Sequence, residues 1–88
     1  MSKILGPWMP GNNADNWCRP DLSHYPIAEY VWSRLGNGWV NSRERDYLNL
    51  QKRFLTAIDA MKSLDIWLVN NGYTLLSKER WERLSLLK

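Results

Sequence analysis

Apolar residues recur at helical spacing through much of the second half of the chain. Tyr47, Leu50, Phe54, Ile58, Met61, Leu64 or Asp65, and Leu68 return every three or four positions, which predicts a long helix over about 42–70. Asn41, with Glu44 three residues on, has the form of a capping box at its start, and Asn70-Asn71-Gly72 can end it in a left-handed cap. Ser63 could cap a new segment, so a kink near Lys62-Ser63-Leu64-Asp65 fits the same pattern. Upstream, Pro26 suits a first helical turn, and Ile27, Tyr30, Val31, Arg34 and Leu35 follow on one face, giving a short helix over about 26–35. Gly36-Asn37-Gly38 stops it. Tyr73-Thr74-Leu75-Leu76 is short and could be extended. Ser77 then caps a last helix over about 78–87, with Trp81, Leu84 and either Leu87 or Lys88 on one face and Lys78/Glu82 and Glu79/Arg83 paired outside. The expected fold is all-α.

Residues 1–25 break the pattern. Gly6-Pro7, Pro10-Gly11-Asn12-Asn13 and Arg19-Pro20-Asp21 are turn formers, and nothing between them repeats at the period of a strand or a helix. An extended N-terminal arm, rich in Trp, Pro and Gly, is therefore expected ahead of a helical body at 26–88. Ile4, Leu5, Trp8, Met9, Trp17, Cys18 and Leu22 give the arm enough apolar anchors to dock, either on the chain's own helices or on a partner.

Composition narrows the class. The 88 residues make one domain at most, with 44% hydrophobic and 24% charged positions, which argues against wholesale disorder. No run is long enough to span a bilayer, so no membrane partner is expected, and the opening residues lack the apolar stretch of a secretory signal. A single cysteine and the absence of an Asn-x-Ser/Thr sequon point to the cytoplasm. The net charge of +3 resides in the C-terminal half, where acidic and basic residues alternate as on a solvated helix face.

Catalytic and cofactor motifs are missing. Cys18 and His24 are the soft metal ligands available, and a zinc site would need carboxylates such as Asp15 or Asp21 to complete it. Cys18 or Ser23 with His24 makes a poor nucleophilic constellation, because near neighbours in sequence seldom reach triad geometry. Neither GxxxxGK[ST] nor GxGxxG occurs. The chain is expected to be non-enzymatic, with no metal or cofactor.

Six tryptophans carry the functional expectation. Trp8, Met9 and Trp17 lie on an arm with little aliphatic content of its own, and Trp39 falls in the turn between the first two predicted helices. These four are the candidate contacts to a larger intracellular protein, since Trp concentrates at binding hot spots as well as in cores. The alternative is a small basic helical nucleic-acid binder using Arg43, Arg45, Lys52 and Arg53 at the start of the long helix. An unbroken helix over 42–70 would be about 43 Å long, longer than a globule of this size is wide, so a homodimer through that helix is a further expectation. In size, tryptophan content and lack of enzymatic motif the chain resembles small phage or mobile-element proteins that redirect a host enzyme acting on DNA. That resemblance rests on no motif and assigns no residue.

Overall fold

The computed structural model describes residues 3–11, 15–21, 29–33 and 38–86, without the side chain of Ser85. It shows a mixed α/β fold and overturns the all-α expectation. Six strands precede or separate two helices: β1 (Ile4–Leu5), β2 (Met9–Pro10), β3 (Asn16–Arg19), β4 (Glu29–Ser33), β5 (Trp39–Asn41), α1 (Ala57–Asn70), β6 (Thr74–Leu75) and α2 (Lys78–Leu86).

Strands β2 to β5 form an antiparallel sheet in chain order, and β1 pairs with β6 in parallel. The register sets Pro10, Trp17, Val31 and Asn41 in one row across the sheet and Met9, Cys18 and Tyr30 in the next. Because successive side chains alternate, the first row shares a face and the second row occupies the other. The first face meets α1. Val31 belongs to the core with Leu5, Ala60, Leu64 and Leu68, and the Asn41 side-chain amide donates to the Ala60 carbonyl at 3.2 Å. Leu5 ties the two sheets together. Its carbonyl accepts from Leu76 N–H at 2.9 Å, and it also bridges to Asp21 beyond the end of β3.

Each lost helix has a local cause. In the predicted helix over 26–35, residues 29–33 alternate buried Glu29, exposed Tyr30 and buried Val31, a strand period over residues of high β-propensity. Five residues satisfy both periods, and pairing with β3 and β5 decides between them. The rest of that prediction, 26–28 and 34–35, lies outside the described residues. The N-terminal arm is likewise β1, β2 and β3 rather than an irregular strap.

Only 57–70 of the long predicted helix is helical. Asn41 Oδ1 does accept from Glu44 N–H at 2.9 Å, as a cap would, but it also accepts from Arg43 N–H, and the backbone turns away instead of propagating. Residues 42–56 form an irregular hairpin bridged at Arg45–Gln51 and at Trp39–Phe54. The second bridge needs close backbone approach at Gly38, whose φ of 84° favours glycine. The true cap of α1 is Thr56, accepting from Asp59 N–H at 3.1 Å. The helix then runs unbroken through Ser63, and its 14 residues span about 21 Å. That removes the length argument for a second subunit. The last helix falls close to its expected place, and β6 occupies the stretch read as extended. Among the described residues no helix is long and apolar enough to cross a membrane.

Candidate functional site

The tryptophan candidates have internal neighbours. Trp8 packs against the core, and its indole N–H points at both Asp65 carboxylate oxygens, at 3.1 and 3.2 Å. Arg19 closes the same cluster. Its guanidinium forks onto Asp65 at 2.9 and 3.0 Å, donates to the Gly6 carbonyl at 2.6 Å and lies 4.9 Å from the Trp8 ring centroid. This seam couples β3 to α1, and it gives each nitrogen of the buried guanidinium an acceptor. Trp39 also packs on the core, while Trp17 and Met9 are half-buried in β3 and β2. The four do not converge into one exposed patch.

A second seam uses Arg43. Glu29, buried at the start of β4, accepts from Arg43 Nε at 2.7 Å and from its NH2 at 2.9 Å, while the guanidinium lies over the Trp67 and Tyr73 rings. The hydrogen-bonded Glu29 carboxylate raises the Arg43 pKa, against the opposing effect of partial burial. Arg43 is thereby separated in role from the other basic candidates. Arg45, Lys52 and Arg53 gather instead on the hairpin, lining an open cleft of about 580 Å³ with Asn49, Leu50 and Gln51.

The hairpin tip is built by Asp46. Its Oδ1 accepts from Leu48 N–H at 2.8 Å and from Leu50 N–H at 3.1 Å, while its backbone N–H donates to the Leu50 carbonyl and its carbonyl accepts from Asn49 N–H. Asn49 turns the chain at φ 62°, a conformation Asn tolerates better than most residues. The result is a tight turn whose apolar side chains point away from the protein. Tyr47 is 94% exposed, Leu48 62% and Leu50 60%.

No family model, curated protein or solved structure matches this chain.

Tyr47, Leu48, Asn49 and Leu50 were not foreseen as site residues. Tyr47 and Leu50 fit the helical stripe and were absorbed into it. The signal that could have exposed them is Asp46 followed three residues later by Asn49, two turn formers inside the supposed helix. As for chemistry, Cys18 is a buried free thiol whose pKa burial raises, which opposes a nucleophilic role. His24 lies outside the described residues. Among the described residues, no three His, Cys, Asp or Glu side chains cluster as metal ligands.

Proposed function

We propose that this chain is a small non-enzymatic docking module that attaches to a larger protein through the tip of the 45–53 hairpin, as an accessory or inhibitory factor. One observation carries the reading: a tyrosine and two leucines are held out into solvent by a turn with its own hydrogen-bond framework. An apolar cluster in water is unfavourable unless something covers it, and exposed apolar patches mark interaction surfaces. Holding it on a pre-formed turn reduces the ordering entropy lost on binding. Tyrosine and the neighbouring arginines are also residue types enriched at interfaces. The reading favours the hairpin over Trp8 because the Trp8 indole is engaged with Asp65.

A photo-crosslinking phenylalanine analogue at position 47, in cells that produce the protein, is expected to give one discrete adduct. Serine at both Leu48 and Leu50 should abolish it without changing the melting temperature. A chain that yields no adduct at 47 would refute the reading.

The second reading, nucleic-acid binding, is supported by the convergence of Arg45, Lys52 and Arg53 on one cleft. It requires a mobility shift of single- or double-stranded DNA that weakens steeply with salt. Absence of a shift at low salt removes it.

A further inference from the structure

We propose that the bound part of the partner is an acidic peptide segment with interspersed apolar residues, laid along the concave side of the hairpin. The proposal rests on the docking reading and adds the chemistry of what is docked.

Three features of the cleft specify that chemistry. Its charge is one-sided: Arg45, Lys52 and Arg53 are exposed cations, and neither arginine has an ion-pair partner among the described residues. The one carboxylate there, Asp46, is directed into the turn by its two backbone donors, so it competes weakly for those cations. The Lys52 ammonium lies 5.4 Å from the Phe54 ring centroid and remains exposed.

The second feature is polarity. Leu50 forms part of the lining and Tyr47 and Leu48 extend beyond it, so an occupant must bring apolar side chains as well as negative charge. A nucleic acid answers that poorly. Three cations make a short track for a phosphate backbone, one exposed ring at the tip can stack one base, and the leucines would remain wet.

The third is hydrogen bonding. Asn49 carries a side-chain amide, which can both donate and accept, on the same lining. That suits a peptide backbone, and a cleft of about 580 Å³ lies within the range usual for ligand sites.

The test selects short random peptides from a display library on the immobilised full chain. The enriched pool is then measured on a tip variant (Tyr47→Ser with Leu50→Ser) and a collar variant (Arg45→Gln, Lys52→Gln and Arg53→Gln), each verified as folded by its melting curve. The expected pool is rich in Asp and Glu interspersed with aliphatic or aromatic residues. Its binding should fall roughly tenfold or more in the collar variant, three exposed ion pairs contributing a few-fold each, and should weaken with added salt. A pool that is neutral, or insensitive to the collar yet dependent on the tip, overturns the acidic assignment and leaves the docking reading intact. A pool insensitive to the tip overturns the inference, and the adduct at position 47 then decides the docking reading separately. Tighter, collar-dependent binding of single-stranded oligonucleotides or of anionic lipid vesicles than of any peptide also overturns it.

Discussion

At the scale of single residues, the seam between Arg19 and Asp65 governs more stability than any exposed pair. Arg19 is only 7% exposed and depends on Asp65 for its countercharge. Removing one partner of such a pair strands the other, whereas replacing both with apolar groups of similar volume is far milder. Asp65→Ala should cost about 3 kcal/mol in urea denaturation, and Arg19→Met with Asp65→Leu clearly less. If the single and double variants lose the same stability, the charge pair is not what matters. Cys18 offers a quieter check. Burial raises its pKa, so the folded thiol stays protonated where an unfolded one ionises, and native labelling at mildly alkaline pH should be slow until denaturant is added. The same shift has a stability consequence. Its contribution is full below the unfolded thiol's pKa and declines as the pH rises from that value through the folded one.

At the scale of elements, the sequence was legible where a period ran long enough and had one interpretation. The spacing of Ile58, Met61, Leu64 and Leu68 marks the body of α1 but not its start at Thr56, whereas α2 after Ser77 follows from both spacing and cap. Apart from β6, the strands were not legible, because the described ones are two to five residues long and are fixed by partners distant in sequence. Residues 29–33 and 42–56 show the two ways this fails. In the first, five residues carry both a strand and a helix period; in the second, an Asx-type turn at Asn41 imitates a cap. The candidate site was half legible: the basic residues were visible as a cluster, but the apolar tip was hidden inside a false helical stripe. Asp46 holds that tip. Asp46→Ala should speed amide exchange at Leu48 and Leu50 while leaving the global melting temperature within a degree or two, since the loop lies outside the core. A large fall in melting temperature would show that the hairpin is instead part of the cooperative unit.

At the scale of the whole molecule, α2 is anchored through its two half-buried side chains, Trp81 and Leu84. Its flanks are exposed, and Trp81 lies against Gly6, where an added Cβ would stand 2.7 Å from the ring and 2.9 Å from Pro20. Gly6→Ala should therefore cost on the order of 1–3 kcal/mol and release α2, seen as amide exchange over 78–86 rising above that of α1. Unchanged protection across α2 would mean that the helix is held by something other than this contact.

The pairing of β1 with β6 also sets a timetable. Ile4 meets Thr74 and Leu5 meets Leu75, so β1 waits for a strand that is made only after the antiparallel sheet and α1. On the ribosome the antiparallel sheet can assemble early, but the β1–β6 pair closes only after Leu76 has emerged to donate to Leu5. Until then Leu5 lacks its neighbour strand, and β1 is an open edge. Such long-range closure is slow relative to local helix formation. The interval before it is when this small protein is most exposed to misassembly and to the chaperones that guard against it.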